Sequence, residues 1–468
     1  MESKRVKLDR RRVLDRSFFY VIVVFLIGAF CFRSTHPELK MLKVVYCNCL
    51  ICYSLYRLVI SRHRNVYLVD FTCYRPPATC RVPFSTFVEH GRLVYDEYRG
   101  HFLQRVLGKS GIGHETGLPP AIHYVPPEPT GAAAAAESRD VVFSLVDDVF
   151  ERTGLDPGDI DILVVNCNVF APTPSLASVI VAKYGMRRNV KSYNLSGKGC
   201  SAEMIALKLA EDVMKVHPNS YALLVCTEIV TPCCYLGKER PMLVTNCLFR
   251  MGGGAVIITN RASERRRAKY RLDHVVRTHL GADDGAYTCV QQEEDEQGFI
   301  GFSLSKDLPF IAGEALKANI AALGPLVLPI SEKLRFVILN HYLRRRRPYV
   351  PDFKRAFEHF CIHAGGRAVI DDLQKSLRLS PEDAEASRMT LHRFGNTSSS
   401  SPWYSLAYAE AKGRVKRGDR VWQIGLGSGF KCGSAVWTCN RTVSGQPEGA
   451  WADCIDRYPV QIPEVLNT

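Results

Sequence analysis

The string Tyr193-Asn-Leu-Ser-Gly-Lys-Gly-Cys-Ser-Ala202 reads as a short strand that passes through a glycine turn and delivers one thiol, Cys200, to the start of a helix. Unpaired N–H groups at a helix start carry a partial positive charge of about half a unit, which favours thiolate, and Lys198 pushes the same way. The glycines let a ligand or a second backbone approach closely. Without partners, the same residue is an inert cysteine at a helix cap. Two strings downstream supply candidates for those partners. His359-Phe-Cys-Ile-His363 carries two imidazoles four residues apart, and Leu391-His-Arg-Phe-Gly-Asn396 carries His392 and a carboxamide. A neutral imidazole and an amide both donate hydrogen bonds, and aimed at one point they stabilise an oxyanion or an enolate in a dry site. Each histidine taken singly also fits a structural role. The i, i+4 histidine pair has no HExxH acid beside it, which argues against zinc, so no metal is expected.

The string Gly425-Leu-Gly-Ser-Gly-Phe430 resembles a phosphate loop only superficially. It lacks the long helix and later acid of a dinucleotide site and the Gly-Lys-Ser/Thr ending of a P-loop. A glycine turn that offers a backbone N–H near Ser428 to a reacting carbonyl fits better. Arg344 to Arg347 could grip phosphate, but no interleaved aromatics accompany them, so a solvated face is the simpler reading and no nucleic acid is expected.

These residues need elements to position them. Apolar runs at Asp161–Asn166, Val190–Asn194, Tyr221–Thr227 and Ala255–Thr259 read as strands, separated by helical patterns such as Ser201–Lys215. The rhythm repeats downstream, with strands at Phe336–Asn340 and Arg420–Ile424 and helices at Arg367–Leu377 and Ser400–Arg414. Such alternation predicts an α/β fold with a largely parallel sheet. Each half ends in a glycine cluster leading into an apolar strand, Met251-Gly-Gly-Gly-Ala255 and Gly425 to Gly429, which suggests two related halves stacked together.

With 468 residues, 46% hydrophobic and 23% charged, the chain has ample material for a core and excludes small disulfide scaffolds and general disorder. Its formal charge of +14 favours an anionic partner. The 17 cysteines are scattered and odd in number, which fits a reducing compartment; the single CxxC, Cys49 to Cys52, lies in an apolar run and reads as membrane-buried or lipid-modified. Seven basic residues precede an uncharged run, Phe18 to Phe32, and a second apolar run, Val44 to Tyr56, is closed by Arg57, Arg62 and Arg64. Fifteen helical residues span only about 22 Å, so flanking residues must help or the helix re-enters. Basic residues at both ends predict a transmembrane hairpin with both ends cytosolic. A cleaved secretory signal shares these features, but Ala29 is followed by Phe30 and Cys31 rather than by a small-residue cleavage site.

Several strings are similar to those of the plant 3-ketoacyl-CoA synthases, the condensing enzymes of microsomal very-long-chain fatty-acid elongation. They include VDFTCYRPPATCRVP (Val69 to Pro83), IDILVVNCNVFAPTPSL (Ile160 to Leu176), VHPNSYALLV (Val216 to Val225), NCLFRMGGGAV (Asn246 to Val256), GPLVLPISE (Gly324 to Glu332), HFCIHAGGRAVID (His359 to Asp371) and HRFGNTSSSSPWY (His392 to Tyr404). The resemblance runs from the hairpin to about Asp456. It implies a thiolase-like fold of two related α/β halves in an α-β-α-β-α stack: residues 1–65 as basic start and hairpin, 66–335 carrying the nucleophile, 336–468 carrying His and Asn. It implies Cys200 as the acylated nucleophile, His363 and Asn396 as donors to the malonyl thioester, supporting roles for His279, His359 and His392, and an oxyanion site at the N–H of Cys200 and one near Ser428. It further implies acyl-CoA and malonyl-CoA as substrates with no other cofactor, a homodimer, an elongase reductase and dehydratase as partners, and an endoplasmic reticulum membrane location facing the cytosol.

The nucleophile turn departs from the family's usual Gly-Gly-Met-Gly-Cys-Ser-Ala-Gly: Ser196, Lys198 and Glu203 replace Gly, Met and Gly. The stretch Ile229 to Tyr235 also differs. Two alternatives therefore stand beside the enzyme: a catalytically weak or regulatory elongase homologue, and a soluble type III polyketide synthase with the same Cys, His, Asn set.

Overall fold

A computed structural model describes residues 65–342, 349–443 and 449–462, and these belong to one compact unit that begins at Asn65. The expected hairpin, the Cys49 to Cys52 motif and Arg344 to Arg347 lie outside the described residues. In chain order the first half comprises β1 (Val66–Cys73), α1 (Gly131–Thr153), β2 (Ile160–Asn166), α2 (Leu176–Tyr184), β3 (Lys191–Leu195), α3 (Ala202–Val216), β4 (Tyr221–Glu228) and β5 (Gly252–Thr259). The second comprises β6 (Tyr270–His279), a detached hairpin of β7 (Val290–Glu294) and β8 (Ile300–Leu304), α4 (Leu308–Val327), α5 (Ile330–Val337), β9 (His359–Ile362), α6 (Arg367–Leu377), α7 (Pro381–Phe394), α8 (Ser401–Ala411), β10 (Arg420–Gly427) and β11 (Lys431–Cys439).

Nine strands are hydrogen-bonded in the order β3-β2-β4-β5-β1-β6-β11-β10-β9. Only β2 with β3, β2 with β4 and β9 with β10 pair in parallel, and the other neighbours are antiparallel. The sheet is therefore mixed, not largely parallel. Apolar runs such as that of β4 and β5, buried along their whole length, fit a sheet covered on both faces in either orientation, so composition alone could not decide. The link between halves is narrow, since β1 and β6 share only the register Val66 to Leu68 against Leu272 to Tyr270.

Helices α3 and α8 touch strands of both halves and form the middle layer. Burial follows that position: nine of the eleven α8 residues are buried, as a helix enclosed on all sides requires. On the outside, α1 covers β1 and β5, while α4 covers β6 and β11. Of the described helices, α4 is long and apolar enough to cross a membrane, but its buried side packs on these strands.

Two elements differ from expectation. Strand β6 pairs along its length with β11 as well as, at its start, with β1. The expected strand Phe336–Asn340 is instead the end of α5 and a following π turn, Ile338–Tyr342. A five-residue apolar run fits either element, and here it continues a helix begun behind Pro329. The glycines Gly252 to Gly254 lie within β5 rather than before it.

Candidate active site

The two middle helices start at the same place. Helix α3 begins behind Ser201, so Cys200 precedes its first turn, and α8 begins at Ser401 behind the loop that carries Asn396 and Ser398. Gly199, at φ 71°, leads into Cys200 and packs against Ser428: a Cβ here would strike the Ser428 nitrogen. Reciprocally, a Cβ on Gly427 would lie 2.6 Å from the Ser201 nitrogen and 2.9 Å from that of Cys200. The nucleophile turn and the β10–β11 turn thus touch backbone to backbone, which brings the Cys200 and Ser428 amides into one neighbourhood.

Cys200, His363 and Asn396 all line one cavity of about 1140 Å³, together with His279 and Ser428. His363 follows β9 at its inner end and is 4% exposed. Its Nδ1 lies 2.7 Å from the Ser401 hydroxyl, which accepts from the Ala364 amide at 3.1 Å and donates to the Ser398 carbonyl at 3.1 Å. In that arrangement Nδ1–H donates to Ser401 and the Nε2 lone pair is left beside Gly365, on the cavity wall. Asn396 donates through Nδ2 to the Gly365 carbonyl at 3.1 Å and accepts the Ser398 amide at 2.9 Å, leaving its second N–H. Ser398, held at φ 54°, joins the groups: its hydroxyl faces the Cys200 thiol and donates to Glu228 at 3.1 Å. Glu228, at the end of β4, also accepts from the Asn168 and Val169 amides at 3.0 and 2.9 Å.

The thiol is not primed as a thiolate. Burial pushes Cys200 up to about 12, with the Ser398 hydroxyl opposing and Glu228 adding to the rise. A helix start two residues away is too weak to reverse this, and Lys198 is exposed to water. Burial conversely pulls His363 down to about 4, against a hydrogen bond to the Ser398 carbonyl. The resting pair is thus neutral thiol and neutral imidazole. The resulting expectation is a flat acylation rate between about pH 6 and 8, without the two inflections of a thiolate–imidazolium pair, and a fall below about pH 5 as His363 takes a proton. Single-turnover transfer of a labelled acyl group across that range checks it; an inflection near 6.5 contradicts it.

The remaining histidines separate. His279 stands at the cavity rim, accepting the Gly281 amide at 2.9 Å, and burial, Lys431, Arg277 and Lys198 hold its pKa down. His359 is at the opposite end of β9 from His363, roughly 13 Å away at strand rise, with Nε2 3.0 Å from Asp419. His392 sits outside the cavity lining, 3.0 Å from the Tyr458 hydroxyl. Neither lines the cavity that holds Cys200: His359 pairs with Asp419 and His392 packs on Tyr458. Ser398, Ser401 and Glu228 were not singled out from sequence; only the tight HRFGNTSSSSPWY string hinted at the serines.

Glu203, the departure beside Cys200, is fully buried beneath the turn, and neither carboxylate oxygen has a hydrogen-bond partner among the described residues. Burial raises its pKa well above the usual carboxylate range. The folded state therefore keeps a proton that the unfolded chain releases above about pH 4.5, so its contribution worsens as pH rises. Glu203→Met, similar in volume and apolar, is expected to stabilise the protein at pH 8 by about 1–3 kcal/mol and less at pH 5, read from thermal or denaturant unfolding.

The cavity's electrostatics are one-sided. Arg105, Lys109, Lys198, Arg240, Lys306 and Lys431 line it, whereas Glu228 is its one carboxylate among the described residues. Phe102, Val106, Leu248, Phe249 and Phe302 give it an apolar wall. Phe249 and Thr245 also line a smaller apolar pocket of about 60 Å³ behind it. An anionic ligand with a long apolar tail matches this surface.

Comparison with known proteins agrees with the geometry. The family model described as FAE1/type III polyketide synthase-like protein matches residues 58–346, and that of the 3-oxoacyl-[acyl-carrier-protein] synthase III C terminal matches residues 354–439. The chain is 59% identical to 3-ketoacyl-CoA synthase 5 of Arabidopsis thaliana over 443 residues, 93% of this chain and 89% of that protein. It is 61% identical to 3-ketoacyl-CoA synthase 6 of the same plant, over 87% of this chain and 83% of the relative. Among solved structures, 1,3,6,8-tetrahydroxynaphthalene synthase of Streptomyces coelicolor A3(2), a bacterial type III polyketide synthase, superposes with a TM-score of 0.65 at 19% identity, covering 80% of this chain and 99% of that one. A fungal type III polyketide synthase matches equally, at 18% identity. These two show a shared thiolase-like α/β fold.

Proposed function

Because this chain belongs to the 3-ketoacyl-CoA synthase family, we propose that its shared cavity carries out the family's condensation through Cys200, His363 and Asn396. The protein is a condensing acyltransferase of very-long-chain fatty-acid elongation: it joins a long-chain acyl-CoA to malonyl-CoA with loss of carbon dioxide and yields 3-ketoacyl-CoA. At 59% and 61% identity to named synthases, neither a polyketide synthase nor a regulatory homologue is favoured.

The observation that carries the residue assignment is the meeting of the three side chains in the lining of one cavity. In acylation, the Cys200 proton passes to Nε2 of His363 as sulfur attacks the acyl carbonyl; the carbon–sulfur bond to CoA breaks and the departing thiolate takes that proton. Malonyl-CoA then binds. For the second half-reaction Nε2 gains a proton from solvent in the cavity as Nδ1 gives its own up to solvent by way of the Ser401 hydroxyl, which then donates to Nδ1, so neutral His363 carries Nε2–H as a donor. With an Asn396 N–H it holds the malonyl thioester oxygen as the C–CO₂ bond breaks and the electron pair becomes an enolate. The enolate carbon attacks the acyl thioester. Its oxyanion rests on the Cys200 and Ser428 amides, the Cys200 sulfur leaves as thiolate and regains a proton from solvent. Basic residues at the rim meet the CoA phosphates, and the apolar wall holds the acyl tail.

No other cofactor is needed for this sequence of steps. The ketone formed must next be reduced and then dehydrated, so an elongase reductase and dehydratase are the expected partners. The basic, apolar amino-terminal segment would anchor the enzyme as a membrane hairpin in the endoplasmic reticulum, catalytic part toward the cytosol, and the outer edge of β3 offers a ladder for a homodimer. Microsomes bearing the full chain, given labelled malonyl-CoA and a panel of acyl-CoAs, are expected to make ketoacyl products two carbons longer. Label release as carbon dioxide without any elongated product overturns the assignment of the acylation step to Cys200.

A further inference from the structure

Helix α5 is inverted relative to an ordinary surface helix. At about 100° per residue, Ile330, Leu334, Val337 and Ile338 share one face, while Glu332 points to the opposite one. It is Glu332 that is buried, the one buried residue of α5, and its carboxylate accepts from Tyr349 at 2.6 Å, Arg355 at 2.8 Å and the Asp352 amide at 3.2 Å. The apolar face looks outward: Ile330, Leu334, Val337 and Ile338 are 45 to 60% exposed, and Leu326 and Phe336 beside them are 52% and 44% exposed. Scattered exposed leucines need no explanation, but a continuous outward stripe with the helix's acid folded inward does.

Charge and chain path indicate what covers it. Lys333 and Arg335 are the charges α5 shows to solvent, and Lys354 and Arg355 are exposed nearby. The folded unit begins at Asn65, directly after the basic, twice apolar segment of residues 1–64. Val66 pairs with Leu272; the next residue, Asp273, lies 3.9 Å from Arg420, which donates to the Val327 carbonyl at 3.2 Å, three residues before α5. A run of contacts, Val66 to Leu272, Asp273 to Arg420 and Arg420 to Val327, thus links the start of the folded unit to the residues before α5.

We propose that the outward face of α5 is a second membrane contact, seated in the interfacial region of an anionic bilayer; this rests on the membrane reading of residues 1–64. A lipid surface suits both the apolar stripe and its basic flanks. It would set the catalytic unit down against the leaflet that holds long acyl chains, rather than leave it tethered at a distance.

The test uses the full chain reconstituted in phosphatidylcholine–phosphatidylserine vesicles whose acyl chains carry bromine. The four native tryptophans are at most 2% exposed and give a steady background. A Leu334→Trp variant is expected to lose about half or more of its added emission relative to unbrominated vesicles, and a Glu296→Trp variant on the exposed β7–β8 turn to lose none. Co-flotation with vesicles but no quenching of the Leu334→Trp signal overturns this proposal alone. So does protection of that position by a concentration-dependent crosslink between two copies. Failure to co-float at all overturns it together with the membrane hairpin.

Discussion

Cys200→Ala is expected to bind both thioesters and form no acyl adduct, with condensation reduced at least about 10⁴-fold. Among the described residues Cys200 is the one cysteine that lines the cavity, and the hydrogen bonds that place His363, Ser401 and Asn396 do not involve its sulfur. Decarboxylation of malonyl-CoA should therefore survive, since the donors that stabilise its enolate remain in place. Intact-mass analysis after incubation with acyl-CoA reads the first half of the prediction, and labelled carbon dioxide release reads the second. Continued elongation by the variant would overturn the mechanism, and loss of decarboxylation as well would mean that Cys200 helps shape the donor site.

What was legible in the sequence was the identity of the reacting groups; what was not was their environment. Cys200, His363 and Asn396 stand in short strings whose residue types already suggest nucleophile and donors, and the structure brings all three to one cavity. The thiol's protonation was misread because the sequence shows a helix start and a lysine but not the burial that outweighs both. His359 and His392 looked like His363 on paper. Only the strand direction of β9 shows that residues 359 and 363 emerge at opposite ends, and only tertiary packing gives His392 to Tyr458. Glu228 hid at the end of an apolar strand, where composition marks β-structure and nothing marks function. Ser398 and Ser401 hid in a run of four serines whose roles depend on one left-handed residue.

The order of β-strands was similarly out of reach. Parallel and antiparallel pairings of fully buried strands draw on the same residues, so the mixed sheet follows from pairing alone. In contrast, the enclosure of α3 and α8 explains why both middle helices can begin with reactive or polar residues. Their first turns meet where the sheets end, and the cavity is open there to substrate.

Asn396→Asp separates the two half-reactions most sharply. The substituted side chain is nearly isosteric and keeps an oxygen to accept the Ser398 amide, so the loop that faces Cys200 should hold its shape. It loses the N–H groups, however, one of which donates to Gly365 and the other of which is assigned to the malonyl thioester oxygen. Losing one such donor costs about 10²–10³ in rate, and a carboxylate placed where an enolate must form adds repulsion to that loss. Condensation and malonyl decarboxylation are thus expected to fall by at least about 10²-fold, while acyl-enzyme formation stays within a few-fold of normal. Burial will raise the pKa of the introduced carboxyl, so lowering the pH should return an O–H donor and recover part of the decarboxylation rate, a trend opposite to that of the parent enzyme. An equal fall in acylation and condensation would give Asn396 to the folding of the Ser398 loop instead, because a donor that acts only on the malonyl oxygen has no means of slowing the transfer to Cys200.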